Sequence, residues 1–146
     1  MPGVTDPHNL QRFIDAQDGV FETALAELRS GLKQSHWIWF VFPQLAGLGR
    51  SPTAQHYAIA SLEEARAYLD HPLLGPRLRR SVEVLLPWAG HRTAEQVLGP
   101  VDAMKLRSSL TLFDQAEPAG LFGDAIRAFF SGERDERTLA LLGAPL

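Results

Sequence analysis

At 146 residues, with 45% apolar and 21% charged side chains, the chain has ordinary globular composition and enough length to bury one core without crosslinks. A net charge of −3 with acids and bases interspersed leaves no basic stripe, which argues against nucleic acid as a partner, and the lack of cysteine excludes disulfides and thiolate chemistry. The opening MPGVTDPHNL has no basic start and no apolar centre, and the longest apolar run, Trp37 to Phe42, is far short of the roughly 20 residues of a membrane span, so one soluble, cytoplasmic domain over residues 1–146 is expected.

In chain order, Asn9 is placed to cap a short helix, LQRFIDAQ, and Asp18 to cap the next. In that second segment Phe21, Leu25 and Leu28 recur at helical spacing, and Gly31 stands where a left-handed C-terminal residue belongs. The block HWIWFVFPQ follows, apolar on both faces whether extended or helical. A strand would need a partner for its backbone, and nothing else in the chain reads as one. The block is therefore expected to form about two helical turns, ended before Pro43 and buried at the centre of the molecule. GLGRSP comes next: either a plain turn in which Ser51 caps a helix, or a nest of backbone N–H groups facing an anion. It lacks the strand context and third glycine of a dinucleotide site, and the lysine of a P-loop.

Ser61-Leu-Glu-Glu64 fits a capping box, and Pro72 should stop its helix near Asp70. Leu74, Leu78, Val82 and Leu85 then form one stripe. Thr93-Ala-Glu-Gln96 is a second capping box, closed by Gly99, and Pro100 suits the first turn of another helix. A helix carrying Phe122, Ile126 and Phe129 ends at Gly132, and Thr138 to Leu142 form a tail segment. The fold class expected is all-α: a compact array of short helices with one central apolar helix surrounded by the others.

Chemistry-bearing residues gather in two places. Lys33, His36 and Gln44 flank the aromatic block, with Arg50 and Ser51 after the glycine turn and His56 and Tyr57 beyond. On the helix after Pro100, Leu106, Leu110 and Phe113 mark the core side, while Asp102, Lys105 and Ser109 share another face with Ser108 beside them. That face is either solvated, with Asp102 and Lys105 paired, or the wall of a cleft. His36 is either a satisfied residue at the edge of the core or, with an ordinary pKa near 6.5, a group suited to proton transfer. The five histidines never fall one turn apart and HExxH is absent, so no metal is expected, and no cofactor either.

RFIDAQ at 12–17, HWIWFVFPQ at 36–44, GLGRS at 47–51, EEARAYLDHPLLGPRL at 63–78 and DAMKLRSSLTLF at 102–113 together resemble a bacterial family, domain of unknown function 1810. The resemblance implies an all-helical domain with one helix enclosed by the others, and it implies no activity. Residues matching the family pattern include His36, Trp37, Trp39, Pro43, Gln44, Gly49, Ser51, Tyr57, Asp102, Lys105 and Ser108. Some members carry the label "calpastatin", which the physics rejects: such an inhibitor is a long, polar, disordered chain, unlike this tryptophan-rich one.

The favoured expectation is a small-molecule site, binding or catalytic, between the 36–51 segment and the 101–115 helix. His36, Gln44, Arg50, Ser51, Tyr57, Lys105 and Ser108 are its candidate residues, and its ligand is anionic or nucleotide-like. The alternative is a non-enzymatic module that takes a protein segment in a groove between helices.

Overall fold

The structure, a computed structural model, describes residues 5–143. The reading of the chain's opening as lacking a signal sequence rests in part on residues 1–4, which lie outside them. Among the described residues there are ten α-helices and no strand. They are α1 (Gln11–Gln17), α2 (Phe21–Ser30), α3 (Ile38–Val41), α4 (Pro52–His56), α5 (Leu62–Asp70), α6 (Leu74–Leu85), α7 (Ala94–Leu98), α8 (Pro100–Ala116), α9 (Leu121–Phe130) and α10 (Glu136–Leu142), with a 3-10 turn at Leu86–Trp88. No helix among them is long and apolar enough to cross a membrane.

The helix at the centre is α8, which packs against α3, α5, α7, α9 and α10. Its second half is buried on every side, from Ser108 through Asp114. The aromatic block is core as expected, with Trp37, Ile38, Phe40, Val41 and Phe42 all buried, but it is a single turn rather than two. Trp37 at φ −139° and Phe42 at φ −125°, ψ 75° both leave helical angles. Phe42 precedes Pro43, whose ring excludes the helical region for it. After Pro43 the chain makes the one ladder contact of the described fold: Ala46 N–H donates to the Ile59 carbonyl and Ile59 N–H to the Gln44 carbonyl, both at 2.8 Å.

Several helix ends differ from the sequence expectation for identifiable reasons. Asn9 does not cap α1; it sits at φ +50°, and the Asp6 carboxylate accepts from the N–H groups of Leu10 and Gln11 instead. Asp18 is the extended residue after α1, and the residue at the N-cap of α2 is Val20, which makes no side-chain capping bond. The Thr93–Gln96 capping box forms completely. The Ser61–Glu64 box forms by half: Ser61 Oγ accepts from Glu64 N–H, while the Glu64 carboxylate turns away to Arg12 and Ala60 N–H. Gly31 is needed twice over, for its left-handed φ of +72° and because a Cβ there would lie 2.7 Å from the Trp88 ring.

The approach to α3 is fixed by one carboxylate. Glu27 accepts from the Ser35 hydroxyl, the Gln34 and Ser35 N–H groups and the Trp37 indole N–H. Burial raises its pKa, but these four donors outweigh it and hold the carboxyl down at about 2. A folded-state pKa below the unfolded one stabilises above the unfolded value, and that contribution is lost as pH falls from about 5 toward 2. Discounted for solvent screening, it amounts to about 1–2 kcal/mol. Wild type should lose more stability between pH 5 and pH 3 than Glu27→Gln does, as read by urea unfolding at each pH. Parallel losses would show that the four donors do not stabilise the anion.

Candidate functional site

Between the first half of α8, the turn after Phe42 and the start of α10 lies a cleft of about 220 Å³. On α8, Val101, Met104, Lys105 and Ser108 fall at helical spacing and form one wall. Gln44, Leu48 and Gly49 form the second, and Asp135 and Arg137 the third, with Arg107 at the junction. The turn comes this close because Gly49 abuts α4: a Cβ there would lie 2.4 Å from the Ala54 methyl. Gly47 has a left-handed φ of +99° but Gly49 does not, so the turn holds one such residue and its glycines serve turning and close packing respectively.

The cations around the cleft differ in how firmly they are engaged. Arg107 is held to the α9–α10 connection, donating from Nε to the Glu133 carbonyl at 2.8 Å and from Nη2 to the Arg134 carbonyl at 3.1 Å. Lys105 Nζ stands 5.1 Å over the Trp39 ring and 3.9 Å from Asp102 Oδ1. The closer partner of Asp102 is Lys33, whose Nζ lies 2.9 Å from Oδ2 and whose side chain is only 6% exposed. Lys105 therefore retains donors directed by no strong partner. Arg137 is exposed and forms no ion pair among the described residues. The one carboxylate of the lining, Asp135, caps α10 by accepting from Thr138 N–H and hydroxyl, while Asp135 N–H donates to Thr111 Oγ1 at 2.9 Å.

Among the residues singled out in the sequence, Gln44, Lys105 and Ser108 meet in this cleft, and His36, Arg50, Ser51 and Tyr57 are not in its lining. His36 is exposed ahead of α3. Arg50 is exposed, with its carbonyl accepting from Gln55 Nε2 at 2.9 Å. Ser51 caps α4 by accepting from Ala54 N–H at 3.1 Å. Tyr57 packs against Phe13 and Phe40 at ring distances of 5.9 and 5.3 Å. The Ser108 hydroxyl donates to the Met104 carbonyl at 3.1 Å rather than to Lys105, so the pair has no geometry of an activated nucleophile. No cluster of three metal-ligating side chains occurs among the described residues.

Sequence reasoning missed Arg107, Asp135 and Arg137. Asp135 carries a legible signal, an N-cap residue three positions before Thr138. Arg137 carries none, because only the fold brings the tail helix beside α8, and Arg107, on α8 itself, is marked out only by its hold on the α9–α10 connection.

A family model described as "Protein of unknown function (DUF1810)" matches residues 7–142. Among solved structures, the chain is similar to the crystal structure of the conserved hypothetical protein Rv1873 from Mycobacterium tuberculosis, with 48% identity and a TM-score of 0.91, over 96% of this chain and 100% of that one. No curated protein matches the chain.

Proposed function

We propose that this chain, which belongs to the DUF1810 family, binds a small anionic molecule in the cleft between the Gln44–Gly49 turn and α8. One observation carries the reading: Lys105 and Arg137 border the cleft without strong partners, while its single carboxylate, Asp135, is engaged as a helix cap. Two under-engaged cations across a concave surface favour an anion between them. No reaction is assigned, because the cleft holds no base positioned on a nucleophile. A bacterial, cytoplasmic setting belongs to the same proposal, and the organism of the solved relative supports its first part.

Lys105→Ala and Arg137→Ala should each weaken binding of inorganic phosphate about tenfold, the usual loss for one charge-assisted contact, and leave the unliganded melting midpoint within a degree or two. Arg50→Ala, outside the lining, should change affinity about twofold. Titration by thermal shift reads both. A wild-type protein that phosphates, nucleotides and carboxylates all fail to stabilise would end the reading.

The second reading is a protein-interaction module. In its favour stands an open groove of about 750 Å³ bordered by Phe21, Leu73, Pro76, Arg80 and Leu121. Small anions stabilising the isolated protein distinguish the first reading from this one.

A further inference from the structure

We infer that the anion held in this cleft is a phosphate monoester of a flat aromatic group, the phosphate meeting Lys105 and Arg137 and the ring lying across Val101 and Met104. The inference rests on the anion-binding reading and specifies its ligand.

Size comes first. A cleft of about 220 Å³ is below the roughly 300–1,000 Å³ of sites that enclose a whole drug-sized ligand. It can take a charged head and leave the remainder of the molecule on the rim. That rim is apolar: Val101 is 64% exposed and Met104 71% exposed, one turn apart on α8 and in the lining itself. Their neighbours Ala103 and Leu106 are buried, so α8 has its core face elsewhere and most of the surface of these two residues is left to solvent. Large apolar side chains beside weakly partnered cations make a surface complementary to a molecule that is anionic at one end and apolar at the other.

The side-chain types favour a ring over an alkyl chain. The Met104 thioether is polarisable and suited to the edge of an aromatic ring. Arg137 offers a planar guanidinium that stacks on aromatic faces, and Gln44, on the facing wall, brings an amide for a heteroatom at the ring's edge. Two cations, Arg137 without an ion pair among the described residues and Lys105 with only the distant Asp102, match the double charge of a phosphate monoester better than the single charge of a carboxylate.

Calorimetric titration of the full chain with inorganic phosphate, methyl phosphate and phenyl phosphate tests this. Phenyl phosphate should bind about tenfold tighter than the other two, as expected when about 60 Å² of apolar area leaves water. In the Val101→Ser/Met104→Ser double variant the ratio of phenyl phosphate to methyl phosphate affinity should fall to about one, a ratio that is insensitive to any change in phosphate binding common to both probes. Equal binding of all three probes by wild type would overturn the aromatic assignment and leave the anion site standing. Retention of the phenyl advantage in the double variant would overturn the placement of the ring. Binding of none of them would overturn both this inference and the reading beneath it.

Discussion

Arg12→Ala is expected to destabilise the fold by about 3–5 kcal/mol, lowering the melting midpoint by about 10–15 °C. The guanidinium is a hub joining the N-terminal segment to the chain around α4 and α5. Nε donates to the His56 carbonyl at 2.9 Å; Nη1 donates to the His8 and Asn9 carbonyls at 2.6 and 2.8 Å. Nη2 donates to the Ala58 carbonyl and to Glu64 Oε2, each at 2.8 Å, and the group also covers the Phe13 ring at 4.4 Å. The Arg12 and Glu64 side chains are 11% and 5% exposed. Truncation thus strands a buried carboxylate together with several carbonyls, and the stranded charge is the larger part of the loss. Arg12→Lys should fall between, since an ammonium can reach Glu64 but cannot span the fork of carbonyls. Arg12→Met combined with Glu64→Gln should recover part of the loss by removing the unpaired charge. Denaturant unfolding measures all three. A single-variant loss below 1 kcal/mol would mean that water satisfies these groups and that the hub is incidental.

Gly75→Ala is the second large effect, about 3 kcal/mol and about 10 °C. A Cβ at Gly75 would stand 2.1 Å from the Leu69 carbonyl oxygen and 2.9 Å from its carbon. The obstacle is backbone, which cannot swing aside as a side chain can. The closeness follows from the connection: α5 ends at Asp70 and α6 begins at Leu74. His71 Nδ1 accepts from the N–H groups of Leu73 and Leu74 at 3.1 and 3.2 Å, and Gly75 N–H donates to the His71 carbonyl at 3.1 Å. Gly90→Ala is the contrast, because a Cβ there meets nothing within 4 Å and only its φ of +84° opposes the substitution. That change should cost about 1–2 kcal/mol. Equal losses at the two glycines would show that the α5–α6 junction yields and that the contact does not govern stability.

These two sites also mark how far the sequence could be read. The apolar stripes were legible because helical periodicity is a local property: Leu74, Leu78, Val82 and Leu85 are all buried on α6, and Phe122, Ala125 and Ile126 on α9. The Thr93 cap was legible because its box is closed within four residues. The Ser61 box was legible only by half, since Arg12, 52 positions away, competes for the Glu64 carboxylate. The core role of the aromatic block and its stop before Pro43 are legible locally, but its late start is not, because Glu27 on α2 holds Gln34, Ser35 and the Trp37 indole ahead of the helix. At the candidate site, the helical face with Lys105 and Ser108 was visible in the spacing. Lys33 was not visible as the partner of Asp102, nor were Arg107 and Arg137 as neighbours of the cleft, because those relations exist only once distant helices pack.

The two hydrogen bonds between the Gln44–Ala46 strand-like step and Ile59 have a consequence for motion. With Arg12 holding the His56 and Ala58 carbonyls and Tyr57 packed on Phe13 and Phe40, they tie off the segment at its neck, so that the loop over residues 47–55 can open without disturbing what lies behind it. Amide protons within the loop should accordingly exchange with solvent deuterium early, whereas those of Ala46 and Ile59 should wait for global opening. The two sides of the cleft then differ in kinetic character, a quick wall carrying Leu48 and Gly49 and a slow one formed by α8. Any occupant touching both would slow exchange in the quick wall, leaving an isotopic footprint of occupancy even where the average coordinates do not change.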